Sequence, residues 1–453
     1  MQVAIVGAGY VGLVSGACLA DGDHDVVCVD VDRSKVEAIN AGRPTIYEPG
    51  LPELLARTAG RSLRATVDLD SAVRECEIVL IAVGTPARDG KIDISFVRDA
   101  ARRIGAALAH SRSYVTVVVK STVIPGTTDG IVRQELESAS GRQAGAGFGL
   151  GMNPEFLTEG RAVEDFTNPD RIVIGGRDAR THDALLRLYS RFEHVPKMLT
   201  NNTTAEFIKY ASNAALATAI SFANEISRLC RAVGDADVVD VMRGVHASLY
   251  FTTRLPDREP VVAGIASFFE AGCGFGGSCL PKDVTALIGQ GRELGLELPL
   301  LSAVLAVNQT QSEELLQLVR RHFPDLRGVR TTVLGIAFKP DTDDVRESPA
   351  FPVIDRLRAA GAAIVAYDPV ARPAGHPALQ GVSLAGSLEE AVGDAQVVVL
   401  VTRWREFERL ADVLDRLGKQ PLVVDGRRVL DPARFQRYEG IGRAASAAGA
   451  VRR

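Results

Sequence analysis

Residues 3 to 13 read VAIVGAGYVGL, an apolar run short enough for a buried strand followed at once by Gly7, Gly9 and Gly12. In the pattern G-x-G-x-x-G the first glycine makes a tight turn and the second lets a pyrophosphate approach the backbone. The third lets the following helix pack on the strand. The phosphate then sits at the helix N-terminus. A second apolar run, Val26 to Val29, ends in Asp30, about twenty residues on, where a carboxylate accepts hydrogen bonds from an adenosine ribose. Arg33 could meet a 2'-phosphate, but Asp30 would repel that phosphate, so NAD is expected over NADP.

Two further apolar runs, Ile78 to Val83 and Val115 to Val119, end in Gly84-Thr85-Pro86 and Lys120-Ser121-Thr122. Ligands of an open parallel sheet bind beyond the carboxyl ends of its strands, which directs Thr85 and Thr122 at the cofactor; an ordinary turn or helix cap is the bland alternative. Residues 203–233 form a helical pattern without Pro or Gly, with Thr203 or Thr204 as its cap. Lys209 and Asn213 are four apart and share a face. Taken alone, Lys209 reads as a lysine snorkelling to solvent. The helix is long and apolar enough for a subunit interface or an intrachain spine. A second α/β pattern follows, with strands at 329–338, 362–369, 396–401 and 421–424 and a helix over 350–360. It lacks G-x-G-x-x-G, and Lys339, Arg346 and Arg427 near its strand ends suit a different diphosphate.

The stretch GFGGSCLPKD, Gly274 to Asp283, places Cys279 on a turn of small residues with Lys282 and Asp283 close behind. Such a turn takes steep dihedrals and admits a substrate, and nearby charges give the control that a thiolate nucleophile needs. A buried structural cysteine is the alternative reading. The six cysteines form no C-x-x-C pair and no disulfide-like framework, so a reducing cytoplasm is expected and a zinc site is not. A formal net charge of −4 and the absence of a long apolar run argue against nucleic-acid and membrane partners. Lysine is scarce beside arginine, which makes each remaining lysine worth individual attention.

The order VGAGYVGL, VGTP, KSTVIPGTT, NPEFLTEG, EFIKYASNA, GFGGSCLPKD and GIAFKPDTDDVRESPA resembles the UDP-glucose/GDP-mannose dehydrogenase family along nearly the whole chain. The resemblance implies two Rossmann-like parallel-sheet α/β domains joined by a long central helix. The expected divisions are 1–198 (NAD binding), 199–300 (helical dimerisation), 301–440 (nucleotide-sugar binding) and a flexible tail from 441 to 453. The implied activity is a four-electron, NAD-dependent oxidation of the C6 alcohol of an NDP-hexose, UDP-glucose or dTDP-glucose, by a dimer or larger homo-oligomer. Cys279 would add to the intermediate aldehyde as a thiohemiacetal, and the thioester formed from it would be hydrolysed.

Carried over by motif, Lys209 and Asn213 contact the C6 oxygen, Asp283 and Thr122 face the water, and Glu155 serves thioester hydrolysis. Glu159, one helical turn after Glu155, joins Gly7, Gly9, Tyr10, Val11, Gly12, Asp30, Lys35, Thr85, Thr122 and Arg346 around NAD. Glu155, Lys209, Asn213, Phe275, Gly276, Phe338, Lys339 and Arg427 hold the substrate. The chain departs from the family before the cysteine. Ala263 stands where an arginine that reaches a neighbouring subunit's substrate is common, leaving Arg254 or Arg258 as replacements, and LYFTTRLPDREP differs from the usual loop. Cys273, often Pro in the family, reads as a packing residue, with a disulfide to Cys279 under oxidation as the alternative. GDP-mannose and N-acetylhexosamine nucleotides remain alternative substrates. A two-electron hydroxy-acid dehydrogenase and a regulator that binds NAD without turnover are alternatives of other classes.

Overall fold

Strands rich in Val and Ile whose residues are buried throughout, such as Ile78–Ile81, Thr116–Val119 and Val397–Leu400, build this protein's sheets. Both sides of such a strand must be covered, which is the condition of a parallel sheet between helical layers. The computed structural model describes residues 1–88, 91–254, 258–373 and 375–444. It divides into two compact units, Met1–Ser212 and Asn213–Arg453.

In the first unit eight strands lie in the order Lys197–Thr200, Ile172–Gly176, Gly149–Met152, Thr116–Val119, Ile78–Ile81, Gln2–Val6, Asp25–Val29 and Leu63–Thr66. All neighbours are parallel except Gly149–Met152 against Ile172–Gly176. The chain crosses to opposite sides of Gln2–Val6, so the glycine turn after Val6 stands where the strand order reverses, the usual ligand crevice of such a sheet. Alternate residues feed two cores: Ile5 and Leu80 pack with Leu13 and Val14 on one face, while Ala4, Val6, Val79 and Ile81 pack with Val97 and Ile104 on the other.

The second unit carries a six-stranded, all-parallel sheet in the order Ser383–Leu384, Ala363–Tyr367, Arg330–Leu334, Val397–Leu400, Leu422–Asp425 and Tyr438–Gly440. Its reversal falls beside Arg330–Leu334. Asp368 follows the second strand of this sheet as Asp30 follows that of the first. Its carboxylate is buried and accepts from the N–H groups of Ile336, Ala337, Val370 and Ala371 and from the Trp404 indole. Helices Leu280–Glu293 and Pro299–Arg320 precede the sheet and share a small core of Phe275, Val284, Ile288 and Val304.

The long helix runs from Asn202 to Val233. Its N-terminal N–H groups are capped not by Thr203 or Thr204 but by Asn201, whose Oδ1 accepts from Thr204 N at 2.8 Å. Asparagine caps as well as threonine, and here it stands one residue before the helix. The two-sheet α/β expectation with a long central helix is met. The tail beyond 444 and Leu255–Asp257 of the departing loop lie outside the described residues. Ile441, inside the expected tail, is buried and donates its N–H to Asp425 O at 3.2 Å.

Candidate functional site

The glycine turn has the geometry its spacing predicts. Gly7 has φ +101°, and a Cβ on Gly12 would lie 1.8 Å from Gly7 O. Gly9 differs: a Cβ there would meet nothing within 4 Å, and no side chain caps the helix Tyr10–Ala20 that it begins. An open hollow over unsatisfied helix N–H groups fits a diphosphate. Asp30 accepts from Ala8 N at 2.8 Å and Asp32 N at 3.0 Å, which leaves acceptor capacity for ribose hydroxyls. The residues present therefore fit NAD.

Thr85 and Thr122 meet at the carboxyl ends of adjacent strands, with Thr85 Oγ1 donating to Thr122 O at 2.9 Å. Lys35 is half-buried on the helix Arg33–Asn40, and Val11, between Gly9 and Gly12, lies on the first turn of the helix Tyr10–Ala20. Tyr10 is committed elsewhere: its hydroxyl donates to Glu48 and accepts from Gly160 N at 3.1 Å. Glu48, which sequence reasoning missed, is 3% exposed and also accepts from Gly160 N and Ala162 N, each at 2.7 Å. It ties the helix of the glycine turn to the end of NPEFLTEG.

NPEFLTEG is not helical. Residues 153–158 run as an irregular loop after the strand Gly149–Met152, so Glu155 and the half-buried Glu159 are not one helical turn apart. Within this loop Glu155 is 7% exposed and pairs with Lys209 Nζ at 3.1 Å. Burial alone would raise the Glu155 pKa. The Lys209 ammonium, the Leu157 N–H at 2.6 Å and the more distant Lys120 outweigh that and bring it below the ordinary carboxylate value. Lys209 is itself 4% exposed, with the Phe156 ring 5.5 Å from its Nζ. The snorkelling reading is thereby corrected: a buried carboxylate one loop away holds the ammonium inside.

Behind this pair lies Lys120, also 4% exposed, which motif reading passed over. Its Nζ donates to Asn153 Oδ1 at 2.9 Å, and the Tyr189 hydroxyl donates to the same oxygen at 2.5 Å. Burial pushes the Lys120 pKa down to about 8, with Glu155 acting against the shift and Lys209 adding to it. Lys120, Asn153, Glu155, Phe156, Arg171 and Tyr189 line one cavity of about 300 Å³. The scarcity of lysine was the signal that could have found it.

In the second unit Cys279 is exposed and begins the helix Leu280–Glu293, an end that stabilises negative charge. Ser278 Oγ lies 3.6 Å from its sulfur. One turn on, Asp283 is 1% exposed, accepting from Asn213 Nδ2 at 2.6 Å and Lys282 Nζ at 2.5 Å. Packing around the cysteine loop requires the glycines before it. A Cβ on Gly276 would lie 2.1 Å from Glu347 O, and one on Gly277, at φ +80°, 2.6 Å from the Phe338 ring. Gly277 N also donates to Arg346 O at 3.0 Å. The cysteine loop is thus laid against the loop carrying Phe338, Lys339 and Arg346.

The Arg346 guanidinium is held by Asp344, with the shortest contact at 2.6 Å. Arg427 donates to Val401 O at 2.6 Å and Gly274 O at 3.2 Å, bridging a strand end to the start of the cysteine loop. Phe275 is buried, with its N–H and C=O both bonded to Asn308. Cys273 is buried and donates to Gly426 O at 3.2 Å, and burial pushes its thiol up to about 11. Ala263 is exposed beside the hairpin of Thr252–Thr253 and Val261–Val262, as are Arg254 and Arg258.

These features sit within a pattern shared with known proteins. Models of the UDP-glucose/GDP-mannose dehydrogenase family match residues 1–193 (NAD binding domain), 203–310 (central domain) and 332–432 (UDP binding domain). The UDP-glucose 6-dehydrogenase of Haloferax volcanii is 40% identical over 97% of this chain and 100% of its own. The GDP-mannose 6-dehydrogenase of Pseudomonas putida is 35% identical over 97% and 100%. The solved structure of a UDP-glucose dehydrogenase from Pyrobaculum islandicum, 39% identical, covers 98% of both chains with a TM-score of 0.88. With full-length relatives at this identity and its NAD-binding turn intact, the chain belongs to the UDP-glucose/GDP-mannose dehydrogenase family.

Proposed function

We propose that this protein is an NAD-dependent nucleotide-sugar 6-dehydrogenase that takes the C6 alcohol of an NDP-glucose through four electrons to the carboxylate. NAD supplies the acceptor for the hydride that leaves C6 in each oxidation. The observation that carries the reading is Cys279, an exposed thiol at a helix N-terminus, with a buried carboxylate, Asp283, one turn behind it and held by Asn213.

Asp283 takes the proton of the C6 hydroxyl, and the Lys209 ammonium stabilises charge on the C6 oxygen. The Cys279 sulfur then adds to the aldehyde carbon, giving a thiohemiacetal from which the second hydride departs to leave a thioester. Water, deprotonated by Glu155, attacks the acyl carbon; the C–S bond breaks and the thiolate of Cys279 is regenerated. Lys339 and Arg427 lie at the strand ends where the nucleotide diphosphate would bind. The active form is a homodimer built on the exposed apolar residues of the central region.

Two NADH per sugar are expected from the wild type. Cys279→Ala should form no uronic acid at an appreciable rate; a normal yield from that variant would sink the covalent route, and one NADH per turnover from the wild type would sink the four-electron reading. A second substrate, dTDP-glucose, is favoured by Ala263, exposed on a segment that departs from the family pattern. Comparing kcat/KM for UDP-glucose, dTDP-glucose and GDP-mannose decides between them.

A further inference from the structure

Lys120 carries a charge for which the described residues provide no ion-pair contact. Its Nζ touches Asn153 Oδ1 and, at 3.4 Å, the Tyr189 hydroxyl, and lies 6.0 Å from the centroid of the Tyr189 ring. All three side chains are at most 4% exposed. An ammonium buried among neutral groups is costly, whereas a methionine would fill much the same volume without that cost.

The frame around it is rigid. Asn153 N donates to Val119 O at 2.9 Å and its Nδ2 to Val173 O at 2.8 Å, which fastens it to the strands on either side. Glu155 follows two residues later and lines the same cavity. The ionisable groups lining that cavity are Lys120, Glu155, Asp165, Asp170, Arg171 and Tyr189, and Lys209 contacts Glu155 from the long helix. Lys209 has two duties in the proposed reaction, pairing with Glu155 and stabilising the C6 oxygen. Whenever negative charge on that oxygen draws it away, Glu155 loses its contact partner in a buried place.

We propose that Lys120 is a positioning residue for Glu155: a second, fixed cation that keeps this carboxylate ready to deprotonate water while Lys209 serves the C6 oxygen. The inference rests on the assignment of Glu155 to thioester hydrolysis. In that step Glu155 takes a proton from water, the hydroxide adds to the acyl carbon, and the Cys279 thiolate leaves. Lys120 touches none of the reacting atoms and transfers no proton; it acts through its field and through Asn153.

The test is single turnover of UDP-glucose with NAD, acid-quenched, with acyl-Cys279 followed by intact mass and the rate followed against pH. In Lys120→Met, hydrolysis should slow roughly tenfold or more and acyl-enzyme should accumulate, while kcat/KM for UDP-glucose in steady state should stay unchanged. The acid limb of the profile should move up by about one unit. Asn153→Asp neutralises the ammonium in place without changing volume, and should shift the limb the same way. Tyr189→Phe keeps the charge and should leave the limb where it is.

A wild-type acid limb and wild-type acyl-enzyme level in folded Lys120→Met, or in Asn153→Asp should the first not fold, overturns the proposal. Glu155→Gln separates the two levels of the argument. If it hydrolyses acyl-enzyme at the wild-type rate, the reading of Glu155 itself fails. If it accumulates acyl-enzyme while Lys120→Met does not, only the role of Lys120 falls.

Discussion

Asp30 and Asp368 stand at the ends of corresponding strands, yet their oxygens are spent differently. Asp368 takes five protein donors and is buried, so it has no capacity left for a ligand. Asp30 takes two, which leaves acceptor capacity that a ribose could use. The same economy governs Lys209, whose charge is shared with Glu155. Lys209→Met should lower kcat by roughly a hundredfold or more, measured as NADH release from NDP-glucose. It should also lower the melting temperature near neutral pH, because Glu155 would stay buried without its contact partner. The paired Glu155 has a depressed pKa, so its contribution is present above the ordinary carboxylate value and is lost as pH falls below it. The stability gap between variant and wild type should close in acid; a gap unchanged at low pH would mean that packing, not charge, is the cause. The positions of Asp30 and the glycines were legible because backbone rules dictate them. The burial of Lys209 was not, since nothing in a helical pattern tells which neighbour covers a lysine.

At the scale of elements, legibility followed the strength of local preference. Runs such as VVVL and IVLI announce buried strands, but Gly149–Met152, reading GLGM, carries no such mark and owes its place in the sheet to its neighbours. NPEFLTEG resisted for the opposite reason: its four-residue spacing imitates a helical turn where the chain runs as an irregular loop. The long helix was recognised, and its apolar surface was read as either a subunit interface or an intrachain spine. Phe222, Leu229 and Val233 on it, and Leu249, Tyr250, Val261 and Val262 after it, are exposed apolar side chains. A second copy of the chain, as in the proposed homodimer, would cover such residues. Leu229→Glu combined with Tyr250→Glu should halve the mass seen by sedimentation equilibrium. An unchanged mass would place the subunit contact elsewhere.

For the whole molecule, the proposed machinery carries a cost in stability. Lys120 has a folded-state pKa of about 8 against an ordinary 10.5, so above about pH 8 the unfolded chain binds more protons than the folded one. Stability from this group therefore rises between about pH 8 and 10.5, and the full penalty applies below that window. Lys120→Met should melt higher than wild type at pH 7 while hydrolysing acyl-enzyme more slowly, and its advantage should fade above pH 10.5. A lower melting temperature at pH 7 would show that the lysine stabilises the fold instead. The other feature with reach is the seam at Gly277, where the peptide bearing the thiol is bonded to Arg346 O and pressed on Phe338. The cysteine loop and the loop of Phe338 and Arg346 are there a single mechanical part. Under the proposed reaction, whatever seats or releases the nucleotide handle would also set the stance of the sulfur, so that chemistry at one end of the sugar would keep time with grip at the other.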